Sequence, residues 1–181
     1  NYVPMTCNGN AVDAKRTTMA AFAGYVVTLA DETALLSNLV NYGDMICKQG
    51  SNVNNGGNGV IVGGIVGHAH GNSAAVGNTI SNCVNYGNMT SEVSRTAGIA
   101  GSIQNVTTLS ACKNYGDQTN TGTNIRPGMI TCYMSENCFM RNCENYGDLV
   151  LTKMNGNNVQ GGGLVCLISG ATAEITGGGN Y

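Results

Sequence analysis

The sequence predicts an all-β fold, a right-handed parallel β-solenoid (β-helix) of about five coils, and three observations carry that prediction. A tetrapeptide recurs, reading Asn-Tyr-Gly-Asp at 41–44, 114–117 and 145–148 and Asn-Tyr-Gly-Asn at 85–88. A second block, a glycine followed by two apolar residues, runs in step with it at 24–26, 64–66, 98–100, 128–130 and 163–165. Around both blocks, residues of one kind return at fixed offsets, so the repeats align as columns.

The chain opens with Asn1-Tyr2 and closes with Asn180-Tyr181, so corner asparagines stand at 1, 41, 85, 114, 145 and 180 and a single array spans 1–181. From each glycine of the second block to the next asparagine the distances are 17, 21, 16, 17 and 17; from each asparagine to the next such glycine they are 23, 23, 13, 14 and 18. Length variation therefore falls in one loop per repeat, and SNVNNGGNG at 51–59 is such an insertion. Five residues before the asparagine stand Leu36, Ile80, Leu109, Met140 and Ile175, and two before it Leu39, Cys83, Cys112 and Cys143. Four after it stand Met5, Met45, Met89 and Leu149, with Gln118 as the exception. Apolar runs this short, bounded by Gly and Asn, suit strands, whereas helices need longer runs at a period of 3.6.

Stacking parallel strands about 4.8 Å apart puts like on like, so inward columns must be apolar and of similar size. The predicted corner ladder is Asn41, Tyr42 and Gly43; Asn85, Tyr86 and Gly87; Asn114, Tyr115 and Gly116; and Asn145, Tyr146 and Gly147. Stacked asparagines can pass amide hydrogen bonds from coil to coil and tyrosines can stack beside them. The glycine is expected to supply a positive φ.

The stretches G-G-I-V-G at 63–67 and I-S-N-C-V-N-Y-G-N-M at 80–89 resemble the GLUG-type repeats of bacterial surface proteins, and the resemblance covers essentially the whole chain. It implies a β-solenoid segment of an adhesin-like or surface-protease-associated protein, extracellular or at the cell surface. The sequence departs from the pattern in the long loops after Asn1 and Asn41, and in Cys132 and Cys166, where small residues are expected.

Composition narrows the function classes. Charged residues are 10% of the chain and the net charge is −2, which excludes a basic nucleic-acid-binding surface. The longest apolar stretch, 19–30, falls well short of the roughly 20 residues of a membrane-spanning helix, so no membrane span is predicted. Eight cysteines lie mostly in columns and read as reduced, buried core residues. His68 and His70 form the only histidine pair and read as exposed turn residues without a third metal ligand.

The acids are Asp13, Asp31, Glu32, Asp44, Glu92, Asp117, Glu136, Glu144, Asp148 and Glu174, and they do not cluster in register. Asp44, Asp117 and Asp148 share the turn column with Asn88, where a carboxylate bonds to turn amides. Asp117 and Asp148 on adjacent coils are the calcium candidates, and Lys113 and Glu144 are expected to pair across coils. No catalytic constellation, phosphate loop or dinucleotide fingerprint is present, so no enzyme and no cofactor are predicted. The expected function is a structural or adhesive repeat segment; the alternative is a carbohydrate-binding or carbohydrate-cleaving β-helix using the tyrosines as a sugar platform. Its partners are expected to be neighbouring repeats or copies of itself stacked end to end, since neither end carries a recognisable cap, together with a host or glycan ligand.

Overall fold

A computed structural model describes residues 1–9, 17–28, 32–49, 59–72, 77–92, 95–122, 125–152 and 159–181. Among these the chain is all β, with strands in five parallel sheets and no helix. The loops after Asn1 and Asn41, most of the 51–59 insertion, and the acids Asp13 and Asp31 lie outside the described residues.

Four of the sheets take one strand from each of five repeats, and the second takes a strand from four of them. The first holds Met5–Gly9, Met45–Gln49, Met89–Ser91, Gln118–Asn120 and Leu149–Leu151. The second holds Thr17–Ala20, Val60–Gly63, Arg95–Ala97 and Arg126–Gly128. The third holds Ala23–Val27, Val66–His70, Ala100–Gln104, Thr131–Met134 and Val165–Ile168. The fourth holds Ala34–Ser37, Asn78–Ser81, Thr108–Ser110, Phe139–Arg141 and Glu174–Thr176. Last comes the corner sheet of Val40–Asn41, Val84–Asn85, Lys113–Asn114, Glu144–Asn145 and Gly179–Asn180.

The predicted columns are the observed register. Leu36 pairs with Ile80, Ile80 with Leu109, Leu109 with Met140 and Met140 with Ile175. Met5, Met45, Met89, Gln118 and Leu149 follow one another in the first sheet. The exception in that column keeps its place because its polar atoms are satisfied: buried Gln118 donates from Nε2 to the Gly128 carbonyl at 3.1 Å and accepts from Thr96 Oγ1 at 3.3 Å.

Two apolar cores result. Met45, Cys47 and Met89 of the first sheet pack with Val60 and Val62 of the second. Ile80, Leu109 and Met140 of the fourth sheet pack with Val66, Ala69, Ile103 and Met134 of the third and with Cys83, Cys112 and Cys143. In the second sheet the strand Val60–Gly63 is buried on both faces. Val60 and Val62 enter the methionine core, whereas Ile61 turns to the third sheet, where a Cβ on Gly101 would lie 2.6 Å from its Cγ2. Burial on both sides explains why 60–66 reads as an unbroken apolar and glycine run without alternation. The second and third strands thus fold back to back, and the turn between them presses on the corner asparagines. A Cβ on Gly64 would stand 2.8 Å from Asn85 Oδ1, on Gly98 2.2 Å from Asn114 Oδ1, and on Gly163 2.7 Å from Asn180 Cγ.

That contact corrects the second sequence block. The pairings Ala23 with Val66, Val66 with Ala100, Ala100 with Thr131 and Thr131 with Val165 put Ala21 and Met129 in register with Gly64, Gly98 and Gly163. Gly24 aligns instead with Gly67, and Gly128 with Ala97 and Gly63. Close approach to the asparagine amide is seen at Gly64, Gly98 and Gly163, while the other two repeats carry Ala21 and Met129 at this position.

Candidate functional site

The corner is the most regular feature of the molecule. Asn41, Asn85, Asn114 and Asn145 each donate twice from Nδ2, once to the carbonyl of the glycine two residues on and once to the next asparagine; Asn1 donates to the Val3 carbonyl and to Asn41, and Asn180 accepts from Asn145. The amide-to-amide bonds run Asn1 to Asn41 at 3.0 Å, then Asn41 to Asn85, Asn85 to Asn114, Asn114 to Asn145 and Asn145 to Asn180, each at 2.8 Å. The bonds to Gly43, Gly87, Gly116 and Gly147 span 2.8–2.9 Å. Asn41, Asn85, Asn114 and Asn145 are buried, so these bonds meet the full desolvation cost of the amides.

Beside them the rings of Tyr2, Tyr42, Tyr86, Tyr115, Tyr146 and Tyr181 form one stack with centroids 4.7–5.0 Å apart and planes within 14°. Ring faces in the middle of the stack cover one another, so the four interior tyrosines present edges to solvent. A sugar docking flat on an aromatic ring finds no open face there.

The glycine after each tyrosine does not take the positive φ expected of it. It is needed for closeness: a Cβ on Gly87 would meet the Gly43 carbonyl oxygen at 2.1 Å, and one on Gly116 the Gly87 oxygen at 2.0 Å. The left-handed conformation falls three residues before the corner asparagine, at Asn38 (φ 58), Asn82 (φ 52), Ala111 (φ 50), Asn142 (φ 51) and Gly177 (φ 64). Asparagine tolerates that region better than most residues, which the Asn38, Asn82 and Asn142 column could have signalled.

The acidic turn column behaves as turn chemistry. Asp44 Oδ1 accepts from the Asn88 amide at 2.8 Å, Asn88 Oδ1 from the Asp117 amide at 3.0 Å, and Asp117 Oδ1 from the Asp148 amide at 2.9 Å. The calcium candidates Asp117 and Asp148 are therefore neighbours, with one Asp117 oxygen engaged by backbone. Among the described residues no group of three or more His, Cys, Asp or Glu side chains gathers in a form that could hold a metal ion.

Lys113 Nζ and Glu144 Oε2 lie 2.7 Å apart, and Tyr146 donates its hydroxyl to the same oxygen at 2.9 Å. Lys113, then Tyr146, holds the Glu144 carboxyl below its ordinary value, while Glu144 raises both Lys113 and Tyr146.

The histidines are not exposed turn residues. His68 is fully buried and His70 half-buried, because the strand continues through them: His68 pairs with Tyr25 and Ser102, His70 with Val27 and Gln104. The Tyr25 ring meets His68 edge-on at 5.1 Å, and His70 Nε2 lies 3.1 Å from Asn105 Nδ2.

Cys47, Cys83, Cys112, Cys132, Cys138, Cys143 and Cys166 are free thiols, all buried except half-buried Cys166. Cys83, Cys112 and Cys143 stand in one column, their thiols donating to backbone carbonyls, among them those of Ser81, Ser110 and Arg141; Cys143 pushes Cys112 up to about 12, Cys112 raises Cys83, and Cys143 at the end is lowered. Among the described residues no helix is long and apolar enough to cross a membrane. No family model, curated protein or solved structure matches the chain.

Proposed function

We propose that the chain is a structural and adhesive repeat segment of an extracellular or cell-surface protein, built as a right-handed parallel β-solenoid of about five coils. The observation that carries this reading is the corner, where asparagine amides and tyrosine rings are both used up in contacts between repeats. An array whose recurring side chains serve stacking offers length, stiffness and a regular surface rather than a reacting group. Right-handedness follows from the strong chirality preference of parallel β connections. The surface location rests on the resemblance to GLUG-type repeats.

Such an array extends by adding a repeat in register. Strands at the ends of the sheets, Glu174–Thr176 and Gly179–Asn180 among them, pair on one edge only within this chain. A matching repeat, from a longer chain or from a second copy, satisfies that edge and covers the apolar column behind it. Electron microscopy of the isolated segment at rising concentration tests this: rods of constant width that lengthen support it, and single particles of fixed length remove the self-stacking part. Binding to a glycan array or release of reducing sugar would replace the structural reading with the carbohydrate one.

A further inference from the structure

In the third sheet Gly24, Gly67 and Gly101 form one column, and at the last two glycine stands for want of room: a Cβ on Gly67 would lie 2.5 Å from the Gly24 oxygen, and on Gly101 2.7 Å from the Gly67 oxygen. The next two repeats carry Cys132 and Cys166 in this column. The flanking pairs Thr131 with Val165 and Tyr133 with Leu167 set the two cysteines side by side in neighbouring repeats. The regular pairing skips this column all along the sheet.

Two cations face the pair. Arg95 and Arg126 are register partners in the second sheet, which lies against the third, and Arg95 Cζ sits 5.0 Å from the centre of the Tyr133 ring next to Cys132. The thiols differ. Cys132 is fully buried, and burial, then the neighbouring Cys166 thiol, raises it well above an ordinary thiol. Cys166 is half-buried and donates from Sγ to the Gln160 carbonyl at 3.5 Å; the neighbouring Cys132 thiol, and then Arg126 and Arg95, lower it against the effect of burial. A partly exposed thiol in an electropositive setting beside a buried second thiol has the layout of an attacking and a resolving cysteine.

We propose that Cys132 and Cys166 are a redox-active dithiol that reacts with small-molecule disulfides, Cys166 as nucleophile and Cys132 as resolving thiol. The Cys166 thiolate attacks one sulfur of R–S–S–R, the S–S bond breaks, and the departing RS⁻ takes up the proton that Cys166 released. Cys132 then attacks Cys166 Sγ in the mixed disulfide, expels the second RS⁻ and passes its own proton to it. Two protein thiols are oxidised to one disulfide and the small disulfide is reduced to two thiols. The product joins the repeat containing Thr131–Met134 to the one containing Val165–Ile168, whose second-sheet connection is the single bridge from Gly128 to Gly162.

The native, fully reduced chain is treated with bis(2-hydroxyethyl) disulfide, and its bridges and adducts are located by peptide mass spectrometry. The expected result is a Cys132–Cys166 bridge formed before any modification of Cys47, Cys83, Cys112, Cys138 or Cys143, and a higher melting temperature for the bridged protein. In Cys132→Ser the reaction should stop at a mixed disulfide on Cys166, and Arg126→Gln should slow the first step about threefold or more. If Cys166 reacts no earlier than those five buried thiols, or the wild type accumulates the mixed disulfide without bridging, the proposal is overturned. The mapping on wild-type protein stands by itself should either variant fail to fold.

Discussion

The middle of the stack and its last described repeat have the same pattern and different surroundings. Leu109 and Met140 are fully buried, whereas Ile175, the next residue of their column, is 37% exposed. Asn114 donates to one asparagine and accepts from another, whereas Asn180 accepts from Asn145 and is exposed. The side chains match; what differs is a neighbour on both sides against a neighbour on one. Burial and hydrogen bonding are thus properties of adjacent repeats, and stability is expected to be a sum of nearest-neighbour terms.

Substitutions can break that contrast, and the largest effects belong to the middle of the ladder. Asn114→Ala leaves the Gly116 carbonyl without its side-chain donor and removes one amide partner each from Asn85 and Asn145; a loss of about 3 kcal/mol is expected by denaturant unfolding. Asn180→Ala should cost about 1 kcal/mol or less. Gly98→Ala should rival Asn114→Ala, since the added Cβ would meet the Asn114 amide at 2.2 Å and the Met129 oxygen at 2.6 Å. Leu109→Ala should cost about 3 kcal/mol, and Ile175→Ala about 1 kcal/mol.

Smaller effects sharpen the comparison. Ala111 holds the left-handed conformation that asparagine or glycine holds in the other repeats, so Ala111→Gly should stabilise by about 1 kcal/mol. The Lys113–Glu144 pair is exposed and contributes little. Glu144 is lowered in the folded state, so its share is present above the ordinary carboxyl value of 4.5 and fades as pH falls through the depressed folded value. Lys113 is raised, so its share is complete below the ordinary amine value of 10.5 and fades as pH rises through the elevated folded value. Lys113→Met should therefore flatten the stability profile at both ends of that window and change little else. Asp117→Asn should be near neutral, because Asn88 already plays the same part, and a chelator should leave the melting temperature unchanged.

The corner and its neighbouring columns were legible because parallel in-register stacking forces like onto like, and an asparagine needing a partner above and below cannot drift. Signals depending on distance across the repeat were weaker. The glycine block was misaligned at Gly24 and Gly128 because the residues in register with Gly64, Gly98 and Gly163 there are Ala21 and Met129, and a nearby glycine in each repeat offered a false match. The positive φ was assigned to the wrong glycine, since glycine serves tight contact as well as left-handed turns and the sequence does not separate the two uses. His68 looked exposed because a polar pair after a glycine resembles a turn. Only the folding of the second strand against the third shows that this face is covered. The pairing of Cys132 with Cys166 was hidden because they are 34 residues apart in repeats of unequal length.

Hydrogen exchange at the asparagine side chains, followed by NMR on the isolated segment 1–181 at a concentration where it does not stack, tests the amide ladder most directly. The Nδ2 hydrogens of Asn85 and Asn114 should exchange only as fast as the protein unfolds globally, while those of Asn180 should exchange close to the rate of a free amide. Exchange of all three at the free-amide rate would contradict the ladder and the stacked repeats built on it.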